Sequence, residues 1–225
     1  MKEITTQQML EAGVHFGHRT SHWHPHMKPY IFCVREGVHI INLEKTKEKL
    51  DEALKFITEV TSKGGKTLFI GTKRQAKNLV KKAAESCDMS YVIERWLGGT
   101  FTNFETIHKL IKKLKDLETK EKAGEFKKYT KKEQILKHKE IEKLNREIGG
   151  IKKLDKLPEV IFIIDIIKDH LALKEAKKMG MPVIALCDTN TDPELVDWPI
   201  PSNDDAIKVI EMMSNAVAET IKNIK

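Results

Sequence analysis

The sequence has few cysteines, and they are not arranged for a disulfide framework or a metal site. Cys33, Cys87 and Cys187 are widely separated, odd in number, and form no CxxC pair. A chain of 225 residues is long enough to build its own hydrophobic core, so it does not need cross-links to fold. We therefore predict buried, reduced thiols of the kind found in cytosolic proteins.

A long hydrophobic run is also missing. The longest one, Val160 to Ile167, is interrupted by Asp165 and is far shorter than the roughly 20 residues that cross a bilayer. Residues 1–8 contain neither an apolar signal core nor an Arg/Ser-rich presequence. The expectation is a soluble, untargeted cytoplasmic protein with no membrane partner.

Motifs for nucleotide hydrolysis and phosphoryl transfer are absent as well. Gly64-Gly65-Lys66-Thr67 ends like a P-loop, but Val60 stands where the first glycine is needed, and the motif precedes its strand. The acidic loop 188–192 resembles an aspartyl-phosphate loop, yet Asn190 replaces the second acid. These absences predict that the protein is not an enzyme.

Positive charge is concentrated in one segment of the chain. Residues 105–156 carry 17 Lys/Arg and 10 Asp/Glu, which accounts for the whole net charge of +7. A localised basic block indicates a polyanionic partner, most simply nucleic acid. The alternative is a Lys-rich helix pair that serves only solubility.

Apolar strand-like runs alternate with amphipathic helices outside this segment. Thr67–Ile70, Glu159–Ile164 and Val183–Cys187 look like doubly buried strands, and Tyr30–Val34 with Val38–Ile41 looks like a hairpin. This pattern predicts an α/β domain, residues 1–104 and 157–225, with a parallel sheet covered by helices on both faces. Residues 105–156 form two arms with apolar side chains at three-and-four spacing. They predict an inserted antiparallel coiled-coil hairpin that projects from the sheet domain.

The loop from Arg95 to Asn103 is the most distinctive stretch. It contains a cation, two aromatic residues and the pair Gly98-Gly99, but no nucleophile, general base or metal ligand. Arg95 offers a phosphate fork and Trp96 a stacking face, both of which nucleic-acid surfaces favour. The loop is therefore predicted to dock onto a partner.

A second candidate site is Gly71-Thr72-Lys73-Arg74, which follows a strand and opens a helix. Such a position presents free N–H groups and the positive end of a helix dipole, so it should bind an anion. An RNA phosphate is the favoured ligand. A small phosphorylated ligand, and hence a small-molecule-binding α/β enzyme, is the alternative function.

The histidines near the N-terminus suggest a metal site. His22, His24 and His26 alternate, but Pro25 and Pro29 disfavour the regular strand that would bring the three together. The sharper hypothesis combines His18 with three carboxylates that should lie at the carboxyl edge of the sheet. Zinc or another divalent ion would then be held by four ligands: His18, Asp188, Asp204 and Asp205. Capping and salt bridging by the same residues is the alternative.

With these motifs in view, the chain resembles the bacterial small-ribosomal-subunit protein two family (universal ribosomal protein uS2) over essentially its whole length. The resemblance rests on blocks in the same order, which include Gly13–His18, Met27–Phe32, Val38–Leu43, Gly71–Arg74, Arg95–Asn103, Thr130–Glu133, Gly149–Ile151, Asp188–Asn190 and Ile200–Ala206. It implies a flavodoxin-like sheet with a protruding coiled coil. It also implies residence at the head–body junction of the small ribosomal subunit, contact with its rRNA, and docking of the mRNA-recruiting protein one of that subunit. No small-molecule substrate and no required cofactor are implied.

The predicted rRNA contacts combine both lines of reasoning. The expected mechanism is positional, since Lys and Arg side chains neutralise backbone phosphates while the sheet fixes their geometry. One departure from the family lies in residues 19–26, where histidines replace a basic-rich stretch. This should weaken phosphate contact at neutral pH, unless the imidazoles become protonated next to phosphates. The candidate RNA-binding residues are Lys28, Lys73, Arg74, Arg95, Trp96, Lys112, Lys113, Lys131 and Lys132.

Overall fold

The computed structural model describes residues 4–224. Within that range the helices are α1 (Thr6–Ala12), α2 (Leu43–Ser62), α3 (Lys77–Ser86), α4 (Phe104–Lys122), α5 (Lys131–Ile148), α6 (His170–Lys178) and α7 (Ile207–Lys222). The strands are β1 (Phe16–Arg19), β2 (Ile31–Arg35), β3 (Val38–Ile41), β4 (Thr67–Ile70), β5 (Ser90–Val92), β6 (Val160–Ile163), β7 (Val183–Cys187) and β8 (Trp198–Pro201).

Five strands form a parallel sheet in the order β5-β4-β6-β7-β8. Counted along the sheet domain from β4, this is the 2-1-3-4-5 order of flavodoxin-like folds. Alternate residues of each strand point to opposite faces. Leu68 and Ile70 join one core, while Phe69 joins the other. The predicted α/β class and the flavodoxin-like sheet are therefore confirmed.

Helices cover both faces of this sheet. One core packs α1, α2, α3 and α7 against the sheet, with Ile57, Val80 and Met213 fully buried. The other contains α6 and extends into the seam of α4 and α5, where Ile111 and Leu114 are buried. The antiparallel helix pair is thus continuous with the sheet core at its base. The division into a sheet domain (1–104 and 157–225) and a hairpin domain (105–156) stays a prediction.

A small antiparallel sheet, ordered β1-β3-β2, precedes the parallel one. The β2–β3 hairpin turns at Glu36 and Gly37, whose φ angles of 52° and 74° fit a tight two-residue hairpin turn. The hairpin was predicted. Strand β1, which pairs with β3, was not, because Gly17 and His18 give it little strand character.

Strand β8, which lies at the sheet edge beyond the loop after β7, was not predicted. One expectation about the thiols was wrong. Cys87 and Cys187 are buried as predicted, but Cys33 is exposed on β2. Among the described residues no helix combines the length and the apolar character of a membrane-crossing segment.

Candidate nucleic-acid interface and the carboxyl edge of the sheet

The loop 95–103 closes around a carboxylate of its own chain. Glu175 on α6 accepts hydrogen bonds at Oε1 from the Trp96 indole (3.2 Å) and the Gly99 amide (2.7 Å). Its Oε2 accepts from the amides of Phe101 (2.9 Å) and Thr102 (3.3 Å). Gly99 has a φ of 89°, a backbone conformation that a residue with a side chain would adopt only with strain. The donors of this loop are therefore used inside the fold.

The electrostatics of Glu175 follow from these donors. Burial opposes its charge, but the backbone hydrogen bonds from Phe101 and Gly99 outweigh that effect and lower its pKa. A carboxylate with several N–H donors is strongly held in its ionised form. Glu175 thus anchors the loop to α6, a role that no sequence pattern indicated, since it is one of many glutamates on amphipathic helices.

This anchoring separates the two residues predicted to meet RNA. Trp96 is only 4% exposed, and its ring packs edge-on against Phe101 at a centroid distance of 4.7 Å. Its face is not available for base stacking in this conformation. Arg95 is exposed, and it makes no ion pair within residues 4–224. Of the pair, only Arg95 is exposed to solvent.

Glu175→Gln is expected to lower the free energy of unfolding by about 2 kcal/mol at pH 7, because charge-assisted hydrogen bonds become neutral ones. Because the pKa of Glu175 is lowered, its contribution is present above the unfolded-state value and is lost as the pH falls through the folded-state value. The deficit should therefore shrink below pH 4. Urea unfolding with Glu211→Gln, on the exposed side of α7, as the matched control tests this. Equal stability of the two variants would contradict it.

At the predicted anion site after β4, a carboxylate of the same chain takes the place of an external anion. Asp169, which is 3% exposed, accepts from the Thr72 amide at 3.2 Å and from the Thr72 hydroxyl at 2.8 Å. Helix α3 begins only at Lys77, so residues 73–76 form a turn before it. The amide and hydroxyl of Thr72, two donors of the predicted phosphate site, therefore bind a buried carboxylate. Arg74 in the same turn remains exposed and makes no ion pair in the described part of the chain.

The four residues of the predicted metal site do come together. His18 Nδ1 lies 3.0 Å from Asp188 Oδ1, and His18 Nε2 lies 3.7 Å from Asp205 Oδ2. The ammonium of Lys73 lies between the carboxylates, at 2.9 Å from Asp204 and 2.6 Å from Asp205. It also approaches Asp165 at 3.3 Å, a residue that sequence reasoning noted only as a break in an apolar run. We name these six residues the edge cluster.

Every member of the edge cluster sits just beyond a strand end, apart from His18 on β1. Asp165 follows β6, Asp188 follows β7 and Lys73 follows β4, which are adjacent in the sheet. The sequence correctly predicted that Asp188 lies at the carboxyl edge of the sheet. The same rule, applied to Asp165 after β6, would have placed Asp165 there as well. Lys73 supplies positive charge that a metal ion would otherwise bring, and its side chain is only 15% exposed. It is therefore committed to the fold and not free for a phosphate.

Carboxylates outnumber cations in the edge cluster, and the pKa values of His18, Lys73 and Asp204 are raised. A hydrogen bond to Asp188 raises the pKa of His18. Burial opposes the charge of Lys73, but its hydrogen bond to Asp205 and the charge of Asp204 raise its pKa. Burial and the charge of Asp165 raise the pKa of Asp204 to about 7. The cluster is therefore a compact group of charges, in which Asp165, Asp188 and Asp204 are buried and the ionisation of Asp204 responds to pH near 7.

The remaining predicted RNA contacts lie on the surface. Lys113 is paired with Glu140 across the hairpin, whereas the other cations of this set make no ion pair within residues 4–224. Many hairpin lysines are similarly paired, so the basic excess is partly neutralised along the helices. The exposed, unpaired candidates are Lys28, Lys112, Lys131 and Lys132.

A family model described as "Ribosomal protein S2" matches residues 9–223. The chain belongs to the ribosomal protein S2 family. It is 50% identical over 221 residues to "Small ribosomal subunit protein uS2" of Aeromonas salmonicida (strain A449), covering 98% of this chain and 91% of that protein. It is equally similar over 225 residues to the protein of the same name from Tolumonas auensis, covering 100% of this chain and 93% of the relative. The resemblance seen in the sequence is confirmed.

Membership of the ribosomal protein S2 family fits the site as built. The Arg95–Asn103 loop, one of the blocks of the resemblance, is an internal clamp on Glu175 with one exposed cation at its start. The turn at Gly71–Arg74 has the same design, with a buried carboxylate on its donors and Arg74 outside. In both motifs a carboxylate of the same chain holds the backbone in place, and the arginine, Arg95 or Arg74, is exposed to solvent.

Proposed function

We propose that the protein is a structural component of the small ribosomal subunit in the cytoplasm, and that it binds the subunit rRNA through exposed, unpaired cations. Family membership supports the ribosomal role. The observation that carries the RNA contact is the separation of cations into two classes. Lys73 is partly buried and ion-paired in the edge cluster, whereas Arg74 and Arg95 are exposed without ion pairs in the described chain.

The two arginines lie beyond the same edge of the sheet. Strands β4 and β5 are parallel neighbours in which Ile70 pairs with Val92. Arg74 is four residues beyond Ile70, and Arg95 is three residues beyond Val92. Because parallel strands end at a common edge, both guanidinium groups are carried by short, internally anchored turns at that edge. Lys28 and the hairpin residues Lys112, Lys131 and Lys132 extend the phosphate-binding set.

The protein contact rests on a different surface. The small sheet exposes Phe32 (73%) and Val34 (53%) on β2, and Phe16 (51%) on β1. Exposed apolar side chains on a sheet edge are suited to a protein partner. The mRNA-recruiting protein one of the small subunit, which the family resemblance implies as a partner, is the proposed occupant.

The rival function, a small-molecule enzyme acting on a phosphorylated ligand at Gly71–Arg74, loses its basis. Asp169 holds the Thr72 donors, and Lys73 is held by three carboxylates. No catalytic step is part of the proposed function.

Co-sedimentation of the endogenous protein with ribosomal subunits, at stepped magnesium and salt concentrations, tests the proposal. Stoichiometric recovery in the small-subunit fraction, lost only at high salt, is expected for an rRNA-anchored component. The same fractions probed for protein one test the protein contact. Recovery only in the soluble fraction would refute the proposed function.

Arg95→Ala is expected to reduce subunit occupancy more than any single lysine substitution on the hairpin, because Glu175 holds the Arg95 loop in place. If Arg95 neutralises one phosphate, the log–log salt slope should fall by roughly one unit. Lys112→Ala, an exposed and unpaired cation on α4, is the matched control. Equal occupancy of the two variants across the salt series would count against a special role of Arg95.

A further inference from the structure

A second group of possible metal ligands lies outside the edge cluster. It joins the 3-10 helix Pro25–Tyr30 to the loop that follows β7. One ligand atom each from His24, His26 and Asp192 falls within 4.8 Å of the others. His24 and His26 are two residues apart in the sequence, but nothing in it indicated Asp192, which is more than 160 residues away.

The backbone holds the two segments together. The His24 amide donates to the Thr189 carbonyl at 2.7 Å. Met27, fully buried, anchors the 3-10 helix to the core one residue after His26. Asp192 caps the 3-10 helix Pro193–Leu195 by accepting from the Glu194 amide at 3.1 Å. The ligands therefore sit on fixed backbone and need only side-chain adjustment to converge.

The local hydrogen bonds leave suitable atoms for coordination. His24 Nδ1 accepts from the His26 amide at 3.3 Å, which leaves its Nε2 for another partner. The two imidazole rings lie edge-on with centroids 5.0 Å apart. His26 Nδ1 is 2.9 Å from Asp192 Oδ1 and 3.4 Å from Glu194 Oε2. Ligand atoms around a tetrahedral zinc ion, at bonds of about 2.0 Å, are separated by about 3.3 Å.

We propose that His24, His26 and Asp192, with Glu194 as the fourth ligand, bind a zinc ion. Two imidazoles with two carboxylates form a mixed nitrogen and oxygen set that suits zinc and related first-row divalent ions, not magnesium or calcium. The ion replaces the proton shared by His26 and Asp192. It links the segment that carries Lys28 to the loop after β7, so it fixes that lysine relative to the sheet.

This zinc site differs from the edge cluster in its cation balance. Lys73 already lies among Asp165, Asp204 and Asp205, whereas no lysine or arginine among the described residues pairs with Asp192 or Glu194. The two groups lie on either side of Thr189, whose hydroxyl accepts from the His18 amide at 2.8 Å. A test must therefore tell them apart.

The test is calorimetric titration of the tag-free, full-length protein with zinc sulfate after chelator treatment. The hydrogen bond to Asp192 raises the pKa of His26, so protons compete with the metal and the titration is run at pH 8. One equivalent of zinc is expected to bind, and His24→Asn with His26→Asn is expected to weaken binding at this site at least tenfold. His22→Asn, an exposed histidine of the same segment outside the group, is the matched control and should bind as the wild type does.

Asp205→Asn assigns any binding to one site or the other. Retention of zinc by Asp205→Asn together with its loss in the double histidine variant supports the proposal. Loss in Asp205→Asn with retention in the double variant would overturn it, as would an absence of binding by the wild type. Cobalt substitution of the wild type is a second readout that needs no variant. Intense visible bands of tetrahedral cobalt are expected, and a weak octahedral spectrum would also overturn the proposal.

Discussion

Replacing Lys73 by methionine is expected to lower the free energy of unfolding by about 3–5 kcal/mol at pH 8, because removing one partner of a buried ion pair leaves uncompensated charge. Asp204 and Asp165, whose side chains are 3% and 10% exposed, would lose the ammonium that lies between them. Methionine keeps most of the aliphatic volume, so the loss reports charge and not a cavity. Lys28→Met, at an exposed and unpaired lysine, is the matched control and should change stability by less than about 0.5 kcal/mol.

The loss in Lys73→Met should shrink as the pH falls. Burial and the charge of Asp165 raise the pKa of Asp204 from 3.8 to about 7. A carboxyl whose pKa is raised by folding stabilises the native state below its unfolded value, and this contribution is lost as the pH rises to about 7. At pH 5 Asp204 therefore carries a proton, and the cluster has one negative charge fewer. Urea unfolding at pH 5 and pH 8 measures the difference, and an equal loss at both would contradict this account.

Gly150→Ala is expected to cost about 3 kcal/mol, since the new methyl group has no space to occupy. A Cβ atom there would lie far inside the van der Waals contact distance of the Tyr91 carbonyl oxygen and 2.5 Å from the Tyr91 ring carbon Cδ2. Both atoms belong to β5, at the point where the base of the hairpin meets the sheet. The clash is with backbone, so a rotamer change cannot relieve it.

Gly149→Ala is the matched control for Gly150→Ala. The nearest atom to its Cβ would be Asn145 Oδ1 at 3.4 Å, which is an ordinary contact, and its φ of −57° suits alanine. Its stability should stay within about 1 kcal/mol of the wild type. The pair is compared by urea unfolding and by hydrogen exchange at β5. Faster exchange at β5 in both variants would show that the close approach at Gly150 is not the cause.

The sequence was informative wherever local patterns determined the structure. Doubly buried strands gave the parallel sheet, and the three-and-four spacing of Ile107, Ile111 and Leu114 gave the hairpin. Side-chain partners were not predictable in this way. Glu175, Asp169 and Asp192 each act on residues far away in the chain, and each occurs in an ordinary helical or loop context.

The predictions about the anion site and Trp96 show the same limit. A strand end with free amides and two cations indicates an anion, and an anion is bound there, but it is the Asp169 side chain. A conspicuous tryptophan beside an arginine suggested stacking, yet its ring is buried against Phe101. Chemistry could be predicted from composition, but whether the ligand belonged to the chain itself depended on tertiary packing.

Strand β8 was not predicted from the sequence, because Pro199 and Pro201 disfavour a strand. The structure places it at the outer edge of the sheet, next to β7. The amide of Ser202 donates to the Cys187 carbonyl of β7, so it points into the sheet. Backbone amides alternate in direction along a strand. The nitrogen atoms of Pro199 and Pro201 therefore face away from β7, toward the open edge.

An outward proline offers no N–H to a foreign strand. The opposite edge is only three residues long, and Gly150 at the hairpin base lies against it. The sheet is therefore terminated at both sides. A newly made copy that waits for its place in a larger assembly can keep a fully parallel, apolar sheet without templating aggregation of its neighbours.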